Sequence, residues 1–267
     1  MEITSRDNPK IKHLVKLIGS KKERSASRLF VVEGVRSCAD AFKEYKLGHI
    51  EIKSVFFVKA AFDKCCALSG IGDIIDEPDI EFYEISKELA DRISPEGNTQ
   101  GIFATAVFVH KTLPDKLSGD KYIVLDGLQD PGNLGTVLRT ADAVGLDGVI
   151  LTQNCCELYN PKVIRSTMGS LSRVDIFVEN DFQRVIDVLD RSGVDAVASV
   201  VKNGELISKV SFGKKTAVVI GNEGSGMTEK HIKMCKKSVT IDMRGNLDSL
   251  NASIAAAVFM WEMTKEC

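Results

Sequence analysis

From Tyr122 to Met243 six short apolar runs, YIVLDGL, GVILT, VDIFV, DAVASVV, AVVIG and SVTIDM, are separated by helical stretches. Each run is continuous instead of alternating apolar with polar residues, the pattern of strands in a parallel sheet covered on both faces by helices. A shorter alternation precedes it, with strands LFVVEG, SVFFVK, IEFYEIS and IFATAVF and helical stretches VRSCADAFKEYK and KELADRI among them. This is also α/β patterning. Between the two, HKTLPDKLSGDK is polar and carries Pro114 and Gly119, the composition of a linker. At 267 residues the chain exceeds the usual single-domain size. The expected organisation is a basic segment over 1–28, a small α/β domain over 29–109, a linker over 110–120 and a larger α/β domain over 121–267.

Composition removes several classes. With 44% hydrophobic and 27% charged residues the chain is neither disordered nor membrane-like. The opening MEITSRDNPK has no apolar stretch of the signal-peptide kind, and no run approaches the roughly 20 residues of a membrane span. A cytoplasmic location with no membrane partner is expected. The seven cysteines include the pairs Cys65-Cys66 and Cys155-Cys156 but no C-x-x-C, and no H-x-x-x-H accompanies them. They read as reduced and structural, with no metal. A net charge of −2 speaks against nucleic-acid binding by bulk electrostatics. The first thirty residues differ, with Arg6, Lys10, Lys12, Lys16, Lys21, Lys22, Arg24 and Arg28 against only Glu2, Asp7 and Glu23. Such a segment suits phosphate contact or a solvated helix face, and composition leaves both open.

Ligands of parallel sheets collect at the carboxyl ends of strands, which directs attention to three loops. In DGLQDPGNLGTVLRTADAVGLDGVIL a strand ends near Leu125 and a helix is expected from about Leu134 to Val144. Asn133 stands at its N-cap, Arg139 shares a face with Gly135, and Gly145 ends the helix. AVVIGNEGSGM places three glycines in six residues after a strand, suiting a ligand approached by backbone amides. Its glycines read G-x-x-G-x-G and no Gly-Lys-Ser/Thr ends it, so neither a dinucleotide fingerprint nor a P-loop is present. Glu223 within it favours a neutral or cationic ligand over a pyrophosphate. In TIDMRGNLDSLNASIAAAVFMWEM a polar loop leads to a helix with Leu250, Ile254, Val258 and Trp261 on one stripe, expected as core or subunit interface. Ser249 and Asn251 at its entrance suit caps or ligand contacts.

Together the three loops resemble the three motifs of the SpoU/TrmH family of RNA ribose methyltransferases, within the SPOUT superfamily. Asn133, Gly135, Arg139, Ala141 and Gly145 stand as in the first motif and Gly221, Asn222, Glu223 and Gly224 as in the second. Ile241, Met243, Ser249, Leu250 and Asn251 stand as in the third. One departure is Asp242, where the family usually has proline. Upstream, FVVEG near Phe30 and GNTQGIFATAV near Gly97 resemble the small α/β substrate-binding domain, related to ribosomal RNA-binding proteins, that precedes many members.

The resemblance implies an α/β chain with a C-terminal knotted (trefoil) parallel-sheet SPOUT methyltransferase domain and a smaller N-terminal α/β RNA-binding domain. It implies an obligate homodimer with composite sites, and S-adenosylmethionine as methyl donor. Carried over residue by residue, Gly221, Ile241 and Leu250 hold the donor, with Met243 and Asn222 nearby. Arg139 acts on the target 2′-hydroxyl and Asn133 orients it or the ribose. Glu223 and Ser249 complete a polar wall, and Asn251 supports the loop. The expected activity is transfer of a methyl group to a ribose 2′-hydroxyl of RNA. Ribosomal RNA of the large subunit is favoured by the added domain. A tRNA enzyme, a catalytically retired RNA-binding protein and a nucleotide-dependent α/β enzyme are the alternatives.

Overall fold

The computed structural model describes residues 2–94 and 99–265. Gly97 and Asn98 of the upstream signature lie outside them. The chain divides into two compact units, one of Met1–Val109 with Tyr159–Arg173 and the other of His110–Leu158 with Val174–Cys267.

The first unit begins with β1 (Glu2–Ile3), α1 (Pro9–Gly19), α2 (Lys21–Ser27), β2 (Leu29–Glu33) and α3 (Val35–Lys46). It continues through β3 (Ile52–Phe57), α4 (Lys59–Ser69), β4 (Glu81–Ile85), α5 (Lys87–Ile93) and β5 (Ile102–Val107). Its sheet runs β1-β4-β3-β5-β2, with β5 antiparallel to both neighbours. The basic opening segment is built into this unit. Asn8 caps α1 through the Lys10 amide and Pro9 takes the first helical turn. Ile11, Leu14, Leu17 and Ile18, at helical spacing, close over Phe56, Tyr83 and Phe103. Buried Arg24 donates to the Leu17 and Ile18 carbonyls, which α1 leaves without intrahelical partners at its end. Lys10 pairs with Glu81 and Lys12 with Asp7.

The second unit opens with β6 (Lys111–Thr112), β7 (Lys121–Leu125), α6 (Pro131–Ala143) and β8 (Gly148–Leu151). The chain then supplies α7 (Pro161–Thr167) to the first unit, where the Tyr159 ring stacks 3.8 Å from Phe108 and lies 4.9 Å from Phe30. The second unit resumes with β9 (Ile176–Val178), α8 (Phe182–Ser192), β10 (Asp195–Ser199), β11 (Glu205–Leu206), β12 (Thr216–Ile220), α9 (Glu229–Met234), β13 (Lys237–Thr240) and α10 (Ala252–Thr264). Its sheet is wholly parallel, in the order β11-β13-β10-β12-β7-β8-β9-β6. Successive strands leave β7 toward β8 and β9, whereas β12 and β10 lie on its other side, so the order switches beside β7. Segment 110–120, expected as a linker, is part of this unit. β6 pairs with β9, and Leu113 and Leu117 are buried with Phe177, Val185 and Leu189 of the core. Its proline and glycine masked two apolar anchors. Tyr159–Arg173, within the larger domain in sequence, packs with the first unit.

Candidate functional site

The first loop, after β7, differs from expectation at its helix start. Asp130 is the N-cap, its Oδ1 accepting from the Asn133 amide at 2.8 Å, and Pro131 occupies the first turn. The helix therefore begins before Leu134, and Asn133 sits inside it with its side chain free for other work. At the far end Gly145 adopts φ 71°, and the Leu146 and Gly145 amides close on the Ala141 and Asp142 carbonyls. That geometry stops the helix where glycine was expected to.

The second loop, after β12, depends on close backbone approach. A Cβ on Gly221 would lie 2.4 Å from Gly226 C and Met227 N, so only glycine fits. Asn222 Oδ1 accepts from the Gly224 and Ser225 amides, while its Nδ2 donates to the Gly127 carbonyl of the first loop at 2.9 Å.

In the third loop Asn251 is the N-cap of α10. Its Oδ1 accepts from the Ser253 amide and hydroxyl. Its Nδ2 therefore points the other way and donates to Asn133 Oδ1 at 3.0 Å. Asn133 Nδ2 in turn donates to Glu223 Oε1 at 3.1 Å, and the two carboxylate oxygens accept from the Gln129 and Asp130 amides. One chain of hydrogen bonds thus runs through all three loops. Each link fixes the orientation of the next amide. Partial burial raises the Glu223 pKa, but the amides of Gln129, Asn133 and Asp130 and its own backbone together hold it below the ordinary carboxylate value.

A cleft of about 230 Å³ opens at the carboxyl ends of β10, β12 and β13. Gly221, Asn222, Glu223, Ile241, Met243, Ser249 and Leu250 line it, as the second and third motifs lead one to expect. Asn133 and Asn251 do not line it; they tie its walls together. Arg139 lies on α6 outside the lining, exposed, and its side chain makes no hydrogen bond or ion pair among the described residues. Ser199, Val200 and Val201 also form wall, which sequence reasoning missed. Ser199 ends β10 and the two valines follow it; β10 sits between β12 and β13, an order that no local pattern encodes. A second omission is Asp126. Its Oδ2 bonds His231 Nδ1 at 2.7 Å and its Oδ1 accepts from the Thr152 hydroxyl, joining the start of the first loop to the helix after the second. The His231 ring stacks on Phe182.

The stripe expected from Leu250 to Trp261 is not core. Ile254 is 50% and Trp261 61% exposed, while Ala256, Phe259, Met260 and Met263 face inward against α6 and β12. The helix is apolar on all sides, so periodicity could not choose its buried face.

The lining suits a compact organic cation with both polar and apolar parts. Backbone from Gly221 to Gly226 offers polar groups, Ile220, Ile241, Met243 and Leu250 offer apolar contact, and the charged lining residues are the carboxylates Glu223 and Asp248. Among the described residues no three of His, Cys, Asp and Glu converge as metal ligands, and no helix is long and apolar enough to cross a membrane.

Comparison with known proteins also divides the chain in two. Residues 120–261 match the SpoU rRNA Methylase family, and residues 8–104 match the MRM3-like substrate binding domain. The chain is 29% identical to the 23S rRNA (guanosine(2553)-2′-O)-methyltransferase RlmP of Bacillus subtilis, over 98% of both chains. It is similar to the crystal structure of an AdoMet-bound rRNA methyltransferase from Sinorhizobium meliloti, with a TM-score of 0.83, 26% identity and coverage of 98% and 97% of the two chains. A solved RNA 2′-O ribose methyltransferase superposes with a TM-score of 0.75 at 27% identity, covering 98% of each chain.

Proposed function

Since the chain belongs to the SpoU rRNA methylase family, we propose that it transfers a methyl group from S-adenosylmethionine to a ribose 2′-hydroxyl of ribosomal RNA of the large subunit. The observation that carries this reading is the hydrogen-bond chain Asn251–Asn133–Glu223. It joins the three motif loops at one cleft whose charged lining is acidic. The Bacillus relative bears the name of an enzyme for a 23S guanosine, which makes that rRNA the first substrate to test.

S-adenosylmethionine supplies a methyl group on a sulfonium, an electrophile that leaves as a neutral thioether. The chain has to hold it, exclude water and present the hydroxyl in line. Gly221, Ile241 and Leu250 hold the donor, with Asn222 and Met243 beside it. Glu223, ionised and pinned by amides, keeps negative charge facing a cationic ligand, and Ser249 adds a polar edge. Arg139 is the remaining member. A guanidinium stays charged, so its work is to contact the target's phosphate or the nascent alkoxide and lower the hydroxyl's effective pKa. Asn133 and Asn251 keep the loops in register for that alignment.

Arg139 lies outside the lining of its own chain's cleft, which supports a homodimer with composite sites. The uncovered apolar face of α10, with Ile254 and Trp261, supplies the surface, and α6, which carries Arg139, packs beside it. The trefoil knot belongs to the same proposal, since α10 leaves β13 and returns to lie on α6 and β12. In the first unit Arg6, Lys16, Lys21 and Lys22 have no ion pair among the described residues and are the cations proposed to meet RNA phosphates. A cytoplasmic location is part of the same proposal, supported by the ribosomal RNA named for the Bacillus relative.

Mass-spectrometric mapping of 2′-O-methyl groups in RNA from cells lacking the gene tests the substrate. One methyl lost from large-subunit rRNA is expected. Loss from tRNA with rRNA intact would overturn that choice.

A further inference from the structure

One wall of the cleft is tied by a single ion pair and no hydrogen bond among the described residues. From Ile241 to Leu250 no hydrogen bond reaches any other described residue, and Leu247 is 76% exposed. The one ionic contact of this stretch, among the described residues, runs from Lys202 Nζ to Asp248 Oδ1 at 3.3 Å. The opposite wall is firmly seated. The Val200 amide donates to the Val239 carbonyl at 2.9 Å and Thr240 Oγ1 donates to the Val201 carbonyl at 2.9 Å. A Cβ on Gly204 would lie 2.8 Å from the backbone of Val239. Lys202 therefore projects from a fixed ledge, while Asp248 rides on a loose strap over the same cleft, and Val201 and Asp248 both line it.

We propose that Lys202 and Asp248 form a latch that holds the strap Ile241–Leu250 closed over the methyl donor. They are positioning residues and take no part in the transfer. The proposal rests on the reading that S-adenosylmethionine occupies this cleft. A segment with few hydrogen bonds opens at little cost. Binding then requires the closed population, and apparent affinity falls with the fraction that is closed. An ion pair joining strap to ledge raises that fraction. For an exposed pair, with side chains 73% and 86% accessible, the expected effect is modest, about two- to fivefold in affinity. A latch retains the thioether product as well as the donor, because it grips the strap and not the ligand's charge.

The test is calorimetry of S-adenosylmethionine and of its thioether product S-adenosylhomocysteine on the full chain. The variants are Lys202→Met, Asp248→Asn and the exchange Lys202→Asp with Asp248→Lys. Each single variant should weaken both ligands by about the same two- to fivefold, and the exchange should recover most of the loss. In turnover, KM for the donor should rise more than kcat falls. Raising salt toward about 1 M, where charges are screened beyond roughly 3 Å, should bring the native protein down to the single variants. Amide exchange in 241–250 of the donor complex should be faster in either single variant. Single variants that bind both ligands like the native chain overturn the latch. So does Lys202→Met tightening the donor but not the thioether, which would make Asp248 a direct electrostatic contact. Failure of the native chain itself to bind S-adenosylmethionine is a separate result and removes the donor assignment with it.

Discussion

A residue that acts only as charge develops lowers turnover without weakening the ground-state complex, and this is the role proposed for Arg139. It stands outside the cleft lining, exposed, and its guanidinium has no partner among the described residues to occupy it. Arg139→Ala should bind the donor like the native chain in calorimetry and lose about 10²- to 10³-fold in methyl transfer, the scale of one removed oxyanion donor. Lysine should recover part only, for want of the planar fork. Equal transfer by Arg139→Ala would remove it from the chemistry. Glu223 makes a pH prediction. Its folded pKa lies below the unfolded value, so the stability it lends the loops is complete above the ordinary glutamate pKa of about 4.3 and is lost as pH falls through the lowered folded value. Donor affinity in Glu223→Gln should lack that acid limb; identical acid profiles for the two proteins would exclude Glu223 as the group that holds the loops. At this scale the sequence was readable where a motif position coincides with a lining residue. It was misleading at Asn133, because Asp130 and Pro131 outcompete it for the helix start.

Among elements, α1 and α2 carry two burdens that charge counting could not separate. Arg24, Lys10 and Lys12 are engaged within the first unit, by α1 carbonyls, Glu81 and Asp7. Lys16, Lys21 and Lys22 remain exposed. Deleting residues 1–28 would also strip Ile11, Leu14, Leu17 and Ile18 from the core, so the charge has to be tested by substitution. Replacing Lys16, Lys21 and Lys22 by glutamine should weaken RNA binding and flatten the slope of log K against log salt by about 0.7 to 0.9 for each phosphate no longer neutralised. The change should be alike for unrelated RNAs, since phosphate contacts position without reading sequence. Parallel salt plots of equal affinity would make these lysines a solvated face. The strands were legible because each is a short continuous apolar run. The buried face of α10 was not, because that helix is apolar all round and only tertiary packing selects Phe259 and Met260 over Ile254 and Trp261.

For the whole molecule, α/β class and a parallel second sheet followed from patterning, but strand order did not. The order decides that β10 joins β12 and β13 around the cleft, and the packing of Tyr159–Arg173 with the first unit was not legible either. Assembly is decided at this scale too. Ile254→Glu with Trp261→Glu adds charge to a face that is already exposed and leaves the inward face of α10 intact. Sedimentation should show a monomer for this variant against a dimer for the native chain, with methyl transfer lost. A native monomer that is fully active would dispose of the composite site. Whether the three loops form one transfer site is a question the purified chain can answer directly. Incubated with methyl-labelled S-adenosylmethionine and 23S rRNA transcript, it should place label on a single ribose 2′-oxygen, resolved by mass spectrometry of the digested RNA. Label on a base, or none in RNA while the donor is bound, would contradict it.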